Sequence, residues 1–123
     1  MNYLAIDYGT KRIGTAISIM GVISPLKTFP NNTVFFNSLE KITNQNEIKK
    51  IFVGICQGSF AVQTKSFVAK LKLMLKLPVE LVEESVSTIE ADELYKQLNK
   101  KRKNYKEKID SISAAIILRR AIN

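Results

Sequence analysis

The sequence predicts an α/β fold in which helices cover both faces of a mixed five-stranded sheet. Up to residue 29 the chain alternates short apolar strands with turns; beyond it, compact apolar strands alternate with segments of helical spacing. Strands joined by hairpins run antiparallel, whereas strands joined through a helix run parallel. We therefore expect a three-strand antiparallel meander followed by parallel strands.

The first part of the chain contains the meander. Residues 2–8 form the first predicted strand, which ends at Gly9, and residues 12–19 form the second. The short segment between them suits a hairpin connection. The third strand is expected at 22–29, and Pro25 within it indicates an edge or irregular strand because proline cannot donate a ladder hydrogen bond.

The middle of the chain alternates helices with strands. Apolar residues recur at helical spacing in 34–47, after Asn and Thr residues able to cap a helix, and again in 60–75. Residues 50–55 are a compact apolar strand. Pro78 ends the second helix, and 79–83 follow as the fifth strand. These elements supply the parallel part of the sheet.

The last third of the chain is predicted to be helical around a basic connector. Ser87 to Glu90 has the form of a capping box and should start a helix that continues to about Leu98. The run 96–108 carries seven Lys and Arg and is interpreted as a connector or a nucleic-acid contact. A final helix, apolar on most sides, should extend from about Asp110 to Ala121. With no repeat or linker, residues 1–123 are expected to form one domain.

The composition excludes several kinds of chemistry. The chain has no histidine and one cysteine, Cys56, so it cannot build a Ser-His-Asp or Cys-His catalytic group or an ordinary zinc site. A lone cysteine fits a reducing compartment. No apolar run is long enough to span a bilayer, and the N-terminus lacks the features of a signal peptide. A cytoplasmic location is expected.

The net charge points to a polyanionic partner. Nineteen Lys and Arg against eleven Asp and Glu give +8. Such an excess favours nucleic acid because each neutralised phosphate releases condensed counterions. Simple solubility charge, or the lysine-rich usage of an AT-rich genome, explains the same numbers.

Three carboxylates stand apart from the solvent-facing acidic residues. Asp7 lies at the carboxyl end of the first strand, Glu84 just past the end of the fifth, and Asp110 at the predicted start of the final helix. Ligand sites of open α/β sheets lie at the carboxyl ends of strands, so Asp7 and Glu84 could meet if their strands are neighbours. Clustered carboxylates require a neutralising cation, and Mg²⁺ accepts carboxylate and phosphate oxygens. Hydrolysis of a phosphodiester with two such ions is the most economical chemistry left.

Each carboxylate also has a simpler interpretation. Asp7 could close the turn at Gly9 through its side chain, as Asp often does. Glu84, with Glu83, could be a solvated pair at a strand exit. Asp110 could be only an N-cap, which stabilises a helix by about 1 kcal/mol.

Four segments in order resemble the YqgF/RuvX family of RNase H-like proteins over essentially the whole chain. They are IDYGTKRIGTAIS at 6–18 with ISPL at 23–26, FVGI at 52–55, VEESVST at 82–88 and KIDSISAAIIL at 108–118. The resemblance implies an RNase H-like fold and a metal-dependent nuclease site. It assigns catalysis and Mg²⁺ binding, for which Mn²⁺ can substitute, to Asp7, Glu84 and Asp110. Family members are regarded as Holliday junction resolvases and as nucleases that mature the 5′ end of 16S rRNA.

The residues around the carboxylates predict where a substrate binds. Lys11 and Arg12 are cations beside Asp7 and could bind phosphates, although ordinary surface charge explains them too, as the hairpin explains Gly9 and helix capping explains Thr88. Residues beside the carboxylates are expected to contact a nucleic-acid substrate, precursor rRNA or branched DNA, and a ribosome precursor is a further expected partner. The expected contacts are Gly9, Thr10, Lys11, Arg12, Thr88, Lys106 and Lys108.

Two departures from the family pattern keep a second function open. Ser85 stands where the family has an arginine, and the loop at 56–59 is altered. These features favour a non-catalytic nucleic-acid-binding or ribosome-assembly factor. A third hypothesis, a nucleotide-phosphate enzyme of the actin-like or sugar-kinase superfamily, rests on the IDYGT segment alone.

Overall fold

A mixed sheet forms the centre of the protein. The computed structural model describes residues 1–55, 60–83 and 105–122. Its strands are β1 (Asn2–Tyr8), β2 (Arg12–Ile19), β3 (Val22–Pro25), β4 (Phe29–Pro30), β5 (Ile48–Ile55) and β6 (Val79–Glu83), and its helices are α1 (Val34–Gln45), α2 (Phe60–Leu75) and α3 (Tyr105–Ile122). The strand order is β3-β2-β1-β5-β6, with β4 paired to β2. β1, β2 and β3 are antiparallel, while β1, β5 and β6 are parallel. The predicted fold class is confirmed, although the described sheet has six strands and not the five predicted.

The third predicted strand is divided in two at residues that are hydrogen-bonded to Thr15. The Leu26 N–H donates to the carbonyl oxygen of Thr15 (2.8 Å), and the Thr15 hydroxyl donates to the carbonyl oxygen of Lys27. The ladder therefore stops at Pro25 and resumes at Phe29 as β4. β3 is an edge strand of the sheet, as Pro25 predicts.

The hairpin between β2 and β3 turns at two residues with positive φ. Met20 has φ 51° and Gly21 has φ 87°, which is the pattern of a type I′ turn. Glycine adopts this conformation freely, whereas methionine does so at a cost. The Met20 N–H donates to Oδ1 of Asn2 at 3.2 Å, which anchors the turn to the start of β1.

One face of the sheet packs against α1 and α2. Alternate residues of β1, Leu4 and Ile6, point to this face because successive strand residues point to opposite sides. They belong to the larger of two apolar clusters, in which all members are buried: Leu4, Ile6, Ile13, Ile17, Phe35, Leu39, Ile48, Ile51, Val53, Phe67, Val68 and Leu71. The apolar stripes of both helices, predicted from their spacing, supply the other half of this core.

The opposite face packs against α3 through small side chains. Ala5 and Ala16, which are in register on β1 and β2, meet a helix surface that includes Ala114. Phe52, Ile117 and Leu118 complete the buried cluster. Three alanines let the helix approach the sheet closely, so helices cover both faces.

The structure corrects where the last helix begins. α3 starts at Tyr105, five residues before Asp110, so the predicted start at Asp110 is wrong and Asp110 is not an N-cap. The C-terminal part of the expected basic connector is helical as well. Lys and Glu are good helix formers, and no glycine or proline interrupts residues 105–109.

Some expectations concern parts of the chain outside the described residues. The helix predicted from Ser87 to Leu98 and the loop at 56–59 are among them. The organisation of residues 1–123 as one domain stays a prediction. Among the described helices, none is both long and apolar enough to cross a membrane.

Candidate active site at the carboxyl edge of the sheet

Asp7 lies between two glycines at the carboxyl end of β1. It is in register with Gly14 on β2 and with Gly54 on β5. In-register residues point to the same face, which for Asp7 is the α3 face that Ala5 also occupies. Both glycines are buried and Asp7 is half-buried. No side chain of β2 or β5 therefore stands directly beside this carboxylate on the α3 face.

The beginning of α3 lies at the same edge of the sheet. The hydroxyls of Ser111 and Thr28 are hydrogen-bonded at 2.9 Å, and Ser111 is 4% exposed. Thr28 precedes Phe29, which pairs with Ile13, the partner of Tyr8 at the end of β1. The backbone of Asp110, next to Ser111, is thus held at the Asp7 end of the sheet. The Asp110 side chain lies outside the described part of the structure.

The strand that carries Asp7 and the strand that precedes Glu84 are not neighbours. β5 lies between β1 and β6, so the adjacency considered from the sequence does not occur. Asp7, Gly54 and Val82 form one row across the three strands, and β6 ends one residue later, at Glu83. Two strand spacings correspond to about 10 Å. Glu84 itself is outside the described residues.

The turn between β1 and β2 is tight and is hydrogen-bonded to Asn31. A Cβ atom on Gly9 would lie 2.4 Å from the carbonyl oxygen of Arg12, so only glycine fits there without a backbone shift. Asn31 donates its side-chain N–H to the carbonyl oxygen of Gly9 (2.8 Å) and its backbone N–H to that of Lys11 (2.9 Å). Thr10, Lys11 and Arg12 are exposed. Two predicted cationic contacts are therefore displayed close to Asp7.

Sequence reasoning did not identify Asn31 as part of this site. The Asn and Thr residues before α1 are expected to cap it. The N-cap position is Thr33, and Oδ1 of the preceding Asn32 accepts the N–H of Val34 at 3.0 Å. Thr33 makes no side-chain capping bond. The signal for Asn31 was only an asparagine directly after a proline, which is typical of a turn.

The predicted metal ligands are all carboxylates. Within residues 1–55, 60–83 and 105–122, no group of three or more Asp, Glu, His or Cys comes together. Asp7 alone of the three predicted carboxylates has a described side chain, so their convergence stays a prediction. Carboxylate oxygens without nitrogen or sulfur ligands are what Mg²⁺ prefers. Asp7, with Gly14 and Gly54 on either side along its row, supplies one ligand of this kind.

The remaining predicted contacts are only partly described. Lys106 and Lys108 belong to the first turns of α3, which begins at this edge, and their side chains are outside the described part. Thr88 lies outside it altogether.

Two solved structures share this fold at low sequence identity. Thermus thermophilus RuvC in complex with a Holliday junction substrate superimposes with a TM-score of 0.60 at 11% identity, over 95% of this chain and 91% of that one. YeaZ from Pseudomonas aeruginosa gives 0.52 at 18% identity, over 80% and 52%. The class that this fold defines is RNase H-like, as the resemblance implies.

The sequence comparisons identify the family. The family profile described as "RuvX: Holliday junction resolvase" matches residues 1–123, and the chain belongs to this family. A Rickettsia typhi protein is 32% identical over 98% of this chain and 83% of its own length. A Mycoplasma pneumoniae protein is 34% identical over 98% and 94%. Both carry the provisional name pre-16S rRNA nuclease. The family resemblance stated from the four segments is confirmed.

Proposed function

We propose that this protein is a Mg²⁺-dependent nuclease that hydrolyses phosphodiester bonds of structured nucleic acid. The observation that carries the proposal is the position of Asp7, set between Gly14 and Gly54 at the edge where α3 begins. The names of the relatives favour precursor 16S rRNA as substrate, and the family resemblance implies its 5′ end. The family description favours a branched DNA junction, which is the second substrate to test.

The roles of the residues follow from their chemistry. Asp7, Glu84 and Asp110 would hold Mg²⁺ or Mn²⁺, which when bound supplies an activated water and neutralises charge on the phosphate. Lys11 and Arg12 bind backbone phosphates beside Asp7, with Thr10, Thr88, Lys106 and Lys108 as further contacts. Gly14 and Gly54 keep side chains out of the space beside the Asp7 carboxylate. The partially buried setting of Asp7 strengthens its attraction for a cation.

The surroundings of the enzyme are part of the same proposal. Its partner is nucleic acid, within ribosome precursors if the substrate is rRNA, and its location is the cytoplasm. The +8 charge supports a polyanionic partner.

A cleavage panel tests the function. The substrates are the 5′ region of precursor 16S rRNA, single-stranded RNA and DNA, and a four-way DNA junction, each with Mg²⁺, Mn²⁺ or EDTA. Asp7→Asn, Glu84→Gln and Asp110→Asn should each reduce cleavage to the EDTA background. Glu80→Gln, an exposed carboxylate on β6 whose partner is Lys50, should cleave like wild type. Cutting that survives the three site substitutions would show that the assigned site is wrong.

Metal titration separates the nuclease from a non-catalytic binding factor. Calorimetry with Mn²⁺ should show binding to wild type and a clear loss in Asp7→Asn. A wild-type protein that binds nucleic acid but no ion at millimolar concentration would be the binding factor that Ser85 and the altered loop at 56–59 suggest.

A further inference from the structure

Asn31 makes two hydrogen bonds to the turn that follows Asp7. It comes directly after β4, a two-residue strand whose Phe29 and Pro30 pair with the first residues of β2. Its side-chain N–H is bonded to the carbonyl oxygen of Gly9 (2.8 Å), and its backbone N–H to the carbonyl oxygen of Lys11 (2.9 Å). Asn31 is half-buried. The two bonds hold residues 9–12, which we call the phosphate turn, at its start and near its end.

The phosphate turn depends on backbone hydrogen bonds for its shape. The side chains of Thr10 and Lys11 are exposed, so packing does not fix them. Gly9 is the residue with the most backbone freedom to lose on ordering. It cannot be replaced by a stiffer residue because any Cβ would meet the Arg12 carbonyl at 2.4 Å. The rigidity that the sequence of the turn cannot supply comes from Asn31.

The shape of the turn decides where its cations lie relative to Asp7. Only Tyr8 separates Asp7 from the turn. A cationic side chain on an already ordered backbone loses less conformational entropy when it binds a phosphate. We propose that Asn31 is a positioning residue that presents Lys11 and Arg12 to a substrate phosphate beside Asp7. This inference rests on the proposed function, since it assigns the phosphate-binding part of the same site.

Asparagine fits this role better than its near-isostere. The bond to Gly9 requires a donor, and only the amide of asparagine has one at that position. An aspartate at position 31 would direct a carboxylate at the Gly9 carbonyl oxygen and would add negative charge where a phosphate is expected. Asn31→Ala removes the side-chain bond, and Asn31→Asp removes it and adds repulsion.

The amino end of β1, far from Asp7, supplies a control substitution. Asn2 donates its side-chain N–H to the carbonyl oxygen of Asn46 at 2.7 Å, which is the same kind of bond far along β1 from Asp7. Asn2→Ala removes this bond and also the bond that Asn2 Oδ1 accepts from the Met20 N–H, without touching the phosphate turn.

The test measures binding without cleavage. Affinity for a labelled RNA spanning the 5′ end of precursor 16S rRNA, or for a four-way DNA junction, is measured in EDTA over a series of NaCl concentrations. The proteins are wild type, Asn31→Ala, Asn31→Asp, Asn2→Ala, Lys11→Gln and the double variant Asn31→Ala/Lys11→Gln. Amide hydrogen exchange of residues 9–12 is measured in parallel.

The proposed role of Asn31 predicts a specific set of results. Asn31→Ala should weaken binding by about tenfold, the size of one lost hydrogen bond. It should also make the slope of log affinity against log salt concentration shallower by about 1, the value of one phosphate contact. Asn31→Asp should bind more weakly still, and exchange of the turn amides should become faster. The double variant should bind like the weaker single variant, whereas Asn2→Ala should keep the wild-type salt dependence.

The results against the inference are equally specific. If Asn31→Ala and Asn31→Asp keep the wild-type salt dependence, or if the losses of Asn31→Ala and Lys11→Gln are additive, Asn31 has a structural role only. If wild type itself neither binds nor cleaves the RNA or the junction, the proposed function fails along with the inference. Should Asn31→Ala not fold, Asn31→Asp and Asn31→Ser give the same comparison.

Discussion

Replacing Ala114 with leucine should lift the first half of α3 from the sheet. Ala114 is fully buried against a surface that includes Ala5 and Ala16, which are also fully buried. Leucine adds three carbon atoms where helix and sheet are held together by the smallest side chains. Overpacking of this kind costs about 1–3 kcal/mol, and three added carbons place the expected loss of unfolding free energy near the upper end, at about 3 kcal/mol.

The same substitution should affect catalysis more than binding. Asp110 lies on α3 only one turn before Ala114, so a displaced helix moves it relative to Asp7. Urea unfolding followed by circular dichroism gives the stability, and cleavage with Mn²⁺ gives the activity. Ala69→Leu, at an exposed position of α2, should change the unfolding free energy by less than about 0.5 kcal/mol. An Ala114→Leu protein as stable and as active as wild type would refute the close packing of α3 on the alanines.

Three further substitutions test other parts of the fold. Leu71→Ala, at a fully buried position of α2, should lower the unfolding free energy measured in urea by about 2–5 kcal/mol. Leu73→Ala, at a position 80% exposed on the same helix, should leave it nearly unchanged. Similar losses in the two variants would contradict the assigned helix face. Met20→Asn should raise the unfolding free energy by about 0.5–1 kcal/mol, because asparagine tolerates positive φ better than methionine; a lower melting temperature would count against the turn described. A double-mutant cycle of Ser111→Ala and Thr28→Val should give a coupling of about 0.5–1.5 kcal/mol, and a coupling near zero would mean that their hydroxyls are not bonded.

Local patterns predicted most of the secondary structure. The limits of β1, β2, α2 and β6 agree with the expected ones because the apolar period and its Gly and Pro boundaries are local signals. The start of α3 was not predictable in this way. Its first residues, from Tyr105 on, are polar and charged, so they carry no apolar stripe although they are good helix formers.

The site was predictable only where one residue carried the signal. Asp7 was identified by its position at a strand end, which can be read from its immediate neighbours. Its setting between Gly14 and Gly54 depends on the register of two strand pairs, and the placement of β5 between β1 and β6 depends on non-local pairing. The hydrogen bond from Asn31 to Gly9 spans 22 positions. None of these has a signature in a short window of sequence.

The order of the elements along the chain has a consequence for how the proposed site is assembled. Domains fold from the N-terminus as they leave the ribosome, so the β1–β2 hairpin can form early. In the proposed site, Asp7 is translated long before Asp110, which belongs to α3. If Asp7 and Asp110 act together as proposed, the site would be complete only after α3 has been synthesised and has packed on the sheet.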